Sequence, residues 1–120
     1  MKGRKEMFNK EKKIEKIIEW GREKRTNKIV KLASHKDPEI RIAVAKACKH
    51  LRNGEGYLVL TNLVRDEEVA VKKEAIISLG KFGRTEAISH LLHIKESETD
   101  EEIKAVCQEA VDELHRGARE

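Results

Sequence analysis

Three stretches of this 120-residue chain can be laid over one another at a nearly fixed period: Ile40 to Leu51, Val71 to Phe82 and Ile103 to Leu114, with offsets of 31 and then 32 residues. A helical unit of that length has an apolar face it cannot bury alone. The units must therefore stack, and such a stack as a rule presents an extended binding surface. The superposition holds position by position. Ile40, Val71 and Ile103 form one ladder, Val44, Ala75 and Cys107 a second, and Ala47, Ser78 and Ala110 a third. Cys48, Leu79 and Val111 make a fourth, and Leu51, Phe82 and Leu114 a fifth. These positions recur at the spacing of an amphipathic helix with one buried face. A first helix in each unit carries two further ladders, Ile29 with Leu60 and Leu91, and Leu32 with Leu63 and Ile94.

The pattern predicts a single all-α domain over residues 1–120, an α-α superhelix of about three helical hairpins behind an N-terminal capping helix. Residues 1–9 read as a basic, frayed lead-in and 10–24 as the capping helix, with Trp20 in line with Leu51 and Phe82. The hairpins are expected over 26–51, 56–82 and 85–115. Asp37 before Pro38 and Thr85 before Glu86 have the residue types that start helices.

Asp37-Pro38-Glu39-Ile40-Arg41, followed by Ala45-Lys46-Ala47-Cys48, is echoed by Glu68 to Val71-Lys72 and by Ser78-Leu79-Gly80-Lys81-Phe82-Gly83. Over roughly residues 26 to 115 this resembles the short HEAT-like repeat of the phycobilin-lyase type. The resemblance implies the solenoid fold and leaves activity open, because that family includes scaffolds, lyases, a metal hydroxylase and DNA-repair relatives. Lys49 and Asp112 depart from it, standing where Gly80 stands in the middle unit.

Composition narrows the function. Charged residues make up 40% and aromatic residues 3%, which suits exposed helices and leaves little for an aromatic-rich active site. The chain has no apolar run long enough to span a membrane, and residues 1 to 20 lack the apolar core of a signal sequence, so the cytoplasm is expected. Cys48 and Cys107 belong to inward ladders two repeats apart, too far for a disulfide. Free thiols suit a reducing compartment.

Charge is patterned too. Asp37, Glu68 and Asp100 precede Arg41, Lys72 and Lys104 by four residues each, which predicts helix-start compensation and pairing between repeats. Residues 1 to 31 hold 12 Lys or Arg against 5 Glu, whereas residues 96 to 120 hold 3 basic against 9 acidic residues. Such opposed ends would steer an anionic partner to the first helix or favour weak head-to-tail contact between molecules.

Positions two, three, six and ten residues after the start of each ladder point away from the buried stripe, toward the concave side. Together with the residues just before the second helix, they give a candidate binding face of Ile42, Lys46 and His50, then Val69, Lys73, Ile77 and Lys81, then Val106. Apolar residues among charges are the mixture of a protein-binding surface.

Catalytic patterns are missing. His90 and His93 lack further ligands at metal spacing, and none of the five histidines is followed by the Glu that the HEAT-repeat metal hydroxylases carry. Gly54-Glu55-Gly56 and Gly80-Lys81-Phe82-Gly83 are turns rather than phosphate loops. No enzyme activity, cofactor or metal is expected. Two functions remain: a scaffold that binds a protein or peptide on the concave face, and a nucleic-acid-binding module that uses the basic N-terminal helix with Lys46, Lys73 and Lys81. The second is weakened by the shortage of stacking aromatics and by Glu74, Glu109 and Glu113 on the same face.

Overall fold

The computed structural model describes residues 2–119, which form seven helices and no strand: α1 (Lys2–Arg22), α2 (Thr26–Val30), α3 (Pro38–Cys48), α4 (Gly54–Leu63), α5 (Val69–Phe82), α6 (Ala87–Ser97) and α7 (Glu101–Arg119). Their packing defines two layers. α1, α3, α5 and α7 lie side by side in a continuous row, and α2, α4 and α6 cover one side of it. α4 and α6 hardly touch, so the stack closes along the row of α1, α3, α5 and α7 and opens along the other layer. That row is the layer expected to line the concave side. The molecule measures 49 × 32 × 18 Å, and the smallest dimension is the depth of two helix layers packed about 10 Å apart.

The ladders are the core. Val44, Ala75 and Cys107 are each fully buried, as are Ile29, Leu60 and Leu91 from the outer layer. Ser78 is buried between the small residues of its ladder, and its hydroxyl finds no hydrogen-bond partner among the described residues. Both cysteines are buried and free. Burial pushes the Cys48 thiol up to about 12 and raises Cys107 as well, so neither is a ready nucleophile.

Two glycines set the helix spacing. A Cβ on Gly21 would lie 2.9 Å from the Ala47 backbone, and one on Gly80 would lie 2.9 Å from the Ala110 Cβ. Only glycine lets α1 and α3, or α5 and α7, approach this closely. Ile17, in line with Cys48 and Leu79, is fully buried as the register of α1 predicts, while Ile14 and Trp20 are half-buried against the core, Trp20 under Lys28.

Helix starts follow local chemistry. Asp37 caps α3 by accepting the Glu39 N–H at 2.9 Å, with Pro38 in the first turn. Asn53 caps α4 by accepting the Gly56 N–H at 2.8 Å, and its own amide donates to the Thr26 hydroxyl across the stack. Two expectations need correction. Thr85 does not cap α6, since Glu86 stands at that position and makes no capping bond there. The lead-in is not frayed over 2–9, because α1 is helical from Lys2; Met1 lies outside the described residues.

Pairing between repeats is present, with a shift of partners. Lys10 pairs with Asp37 at 3.0 Å, Arg41 with Asp66 at 2.9 Å and Lys72 with Glu98 at 3.5 Å. The bases recur at 31 residues, and each reaches the turn that precedes the next inner helix. In the second and third turns the acid is two residues earlier than expected, Asp66 and Glu98 in place of Glu68 and Asp100. Lys104, the next base in the series, pairs with Glu101 in its own helix at 3.5 Å.

Candidate interaction surface

The inner face is built from residues of α1, α3, α5 and α7 that the ladders leave uncovered, and its two halves differ. Between α1 and α3 a groove is lined by Ile14, Ile18, Ile42, Ala43, Glu39 and Lys46. Ile14, Ile18 and Ile42 are half-buried, packed at the base yet reachable from solvent. Ile77 of α5 is also half-buried on the same face, and Val69 at the start of α5 is 51% exposed. Met7 is 64% exposed and lies seven and eleven residues before Ile14 and Ile18, which puts it on the same stripe of α1.

The second half is closed by charge. Lys73 is paired with Glu102 of α7, and Lys81 approaches Glu113 at 3.9 Å. Gln108 accepts from Lys95 of α6 at 2.6 Å and donates to Asp112 at 2.8 Å, on the side of α7 that meets α6. Val106 does not belong to the surface. It is 8% exposed, because the position three residues after the ladder start faces the neighbouring inner helix; Ala43, its counterpart in α3, is buried for the same reason. Among the remaining expected residues, Ile42, Lys46 and His50 share the first half, whereas Lys73 and Lys81 are bound to α7.

At the C-terminal ends of α1 and α3 the groove meets a group of cations. His50 is exposed at the end of α3, and partial desolvation together with Lys49, Arg22, Arg52 and Lys24 lowers its pKa. None of those four cations, nor Lys46, forms an ion pair among the described residues. Two of them hold unusual backbone: Lys24 has φ 59° and Arg52 φ 52°, the only non-glycine residues at positive φ among the described residues. Lys24 follows α1 in a Schellman arrangement, with the Arg25 N–H donating to the Trp20 carbonyl at 2.8 Å. The corresponding turn after α5 uses Gly83 at φ 92°. The αL conformation costs an L-residue about 1 to 2 kcal/mol, so the two earlier turns hold a cation where glycine would be less strained.

Sequence reasoning missed Ile18, Arg22, Lys24 and Arg52. Arg52 was within reach, because it sits 31 residues before Gly83 and so inherits a turn that needs positive φ. No group of three or more His, Cys, Asp or Glu placed to hold a metal is found among the described residues, and no helix there is long and apolar enough to cross a membrane.

Comparison with curated proteins and with solved structures finds no match. The family pattern described as HEAT repeats matches residues 26–112, from the start of α2 into α7. That covers well over half of the chain, and with its two-layered stack of helical hairpins the protein belongs to the HEAT-repeat family.

Proposed function

We propose that this protein is a non-enzymatic interaction module that holds a peptide or a protein segment along its concave face. HEAT repeats are in general protein-interaction scaffolds and are typically not enzymes. The observation that carries the finer reading is the groove between α1 and α3, where Ile14, Ile18 and Ile42 stay reachable on a face otherwise lined by charges. Ile42 and Ile77 serve as apolar anchors, flanked by Val69. Lys46 and His50 read charge at the open end, and Lys73 and Lys81 contribute through their pairs with α7. Val106 has no part in contact. The two buried free thiols support the cytoplasm as its setting.

Replacing Ile42 and Ile77 together by Asp tests the reading, because a few central anchors carry most of an interface's affinity. The double variant should keep its helical circular dichroism and lose its captured protein partner. Nucleic-acid binding predicts a different ranking: reversal of Lys46 should weaken binding to a generic duplex, with strong salt dependence, while the isoleucine changes have little effect. Retained capture by the double variant would overturn the concave-face reading.

A further inference from the structure

Building on the concave-face reading, we infer that the occupant is an acidic amphipathic segment that forms about three helical turns, its apolar side in the α1–α3 groove and its acidic end against the cations around His50. Three observations converge. Ile14 and Ile18 line the groove and the exposed Met7 continues their stripe along α1 beyond the start of α3, eleven residues or about 16 Å in all, which matches roughly three turns of a ligand helix. One turn beyond Ile18 on the same stripe stands Arg22, and Arg22, Lys46, Lys49 and Arg52 are without acidic partners among the described residues. The strained backbone at Lys24 and Arg52 keeps cationic side chains at turns where glycine would fit better, and local strain of this kind is retained where a site uses it.

Charge complementarity selects the chemistry. A basic or neutral helix could fill the groove yet would leave at least four cations unpaired, and a basic one would also be repelled by them on approach. A nucleic acid would satisfy the cations but make no use of a floor of aliphatic side chains, and none of the four aromatic residues lines the groove: Tyr57 and Phe82 face each other within the stack, 5.9 Å apart, while Phe8 and Trp20 lie elsewhere on α1 under Lys12 and Lys28. The protein's own acidic helix is also unsuited, because the exposed residues of α7, such as Ala105, Glu109 and Asp112, include no apolar side chain larger than Ala. The occupant is therefore a segment of another protein.

The test is selection from a displayed library of random 16-residue peptides on the intact protein, with counter-selection on Ile42→Asp. Enriched peptides should be net acidic, with apolar residues at helical spacing. The variant Lys46→Glu/Lys49→Glu/Arg52→Glu should invert the preference to net basic peptides. A peptide enriched on the wild type should bind that variant at least tenfold more weakly at low salt. Arg52→Gly should keep or raise the melting temperature and still bind such a peptide several-fold more weakly, an outcome that a merely structural role for Arg52 does not give. Enrichment of apolar peptides without acidic bias would overturn the inference and leave the concave-face reading standing. No enrichment over the counter-selected background would sink both. So would binding of a 20-base-pair duplex that the triple charge reversal abolishes and Ile42→Asp leaves unchanged. Concentration-dependent dimers that compete with the selected peptides would assign the groove to a second copy instead.

Discussion

The two halves of the inner face share one backbone geometry and present opposite surfaces. α1 crosses α3 through Gly21 on Ala47, and α5 crosses α7 through Gly80 on Ala110, each at van der Waals limit. Yet the first crossing leaves an aliphatic groove beside unpaired cations, while the second is spanned by Lys73 with Glu102 and Lys81 with Glu113. Two positions per repeat carry much of the difference, and the acids Glu102 and Glu113 of α7 add to it. Two and six residues after the ladder start, α3 carries Ile42 and Lys46, α5 carries Lys73 and Ile77, and α7 carries Ala105 and Glu109. The ladders fix how the helices stack and leave these positions free to vary, so a solenoid can keep its fold while its surface changes from one repeat to the next.

The sharpest way to break this separation of core from surface is to truncate on either side of it. Leu79→Ala removes a fully buried ladder residue and should cost about 2 to 5 kcal/mol. Ile77→Glu, two residues earlier on the half-buried stripe, should cost well under half of that. Thermal melts decide it: equal losses would place Ile77 in the core and remove it from the binding face.

The glycine crossings come next. Alanine is the better helix former by about 1 kcal/mol, so Gly21→Ala and Gly80→Ala would stabilise exposed helices. Here the added methyl meets Ala47 or Ala110 at 2.9 Å, and overpacking should reverse the sign to a net loss of about 1 to 3 kcal/mol at both sites. Chemical denaturation of the two variants should show matching losses. A gain at either site would mean that the corresponding pair of inner helices is not in close contact.

A smaller effect is expected at the ladder of ion pairs. Arg41 donates to both oxygens of Asp66, at 2.9 and 3.1 Å, and to the carbonyls of His35 and Lys36, with both side chains mostly buried. Arg41→Ala should cost about 1 to 2 kcal/mol by leaving those acceptors poorly satisfied. Burial works against the ionised Asp66 carboxylate, but Arg41 and the Glu68 N–H outweigh it and hold its pKa below the usual value. A carboxyl depressed in the folded state contributes stability above its unfolded pKa of about 4 and loses it as pH falls through the folded value. The gap between wild type and Arg41→Ala should accordingly narrow below about pH 4. A gap independent of pH down to acid unfolding would show that the Asp66 charge contributes nothing.

Much of the architecture was legible in the chain, because burial repeats with the period of the fold. Each second-helix ladder position, from Ile40, Val71 and Ile103 to Leu51, Phe82 and Leu114, is buried where the superposition put it, while Leu32 and Ile94 of the first-helix ladders are only half-buried. The inner face was less legible, since orientation about a helix axis does not say how near the next helix comes. Val106 and Ala43 were read as surface and lie against a neighbouring inner helix, at a distance set by glycines whose role appears only in three dimensions. The pairing of Lys73 with Glu102 was illegible for a related reason: the two residues are 29 apart and meet only because α5 and α7 pack. Arg22 and Lys24 lie at and past the end of α1, and only its packing on α3 brings them near His50.

The smallest expected effect on stability is also the one that bears most directly on why the halves differ. The side chains of Lys73 and Glu102 are 34% and 66% exposed, and pairs of that exposure contribute at most about 1 kcal/mol because water screens them. Glu102→Gln should therefore leave the melting temperature nearly unchanged, as should Glu113→Gln. Their effect should fall on binding. Each removes an acid that holds a lysine of α5, so the double variant frees Lys73 and Lys81 beside Ile77 and gives the second half the composition of the first. An acidic amphipathic peptide that binds the wild type should then associate faster at low salt, and the gain should vanish at high ionic strength, as expected of charges that steer rather than anchor. Stopped-flow association rates at two salt concentrations measure this. An unchanged rate at low salt would mean that Lys73 and Lys81 lie outside the approach path, and that binding is confined to the groove between α1 and α3.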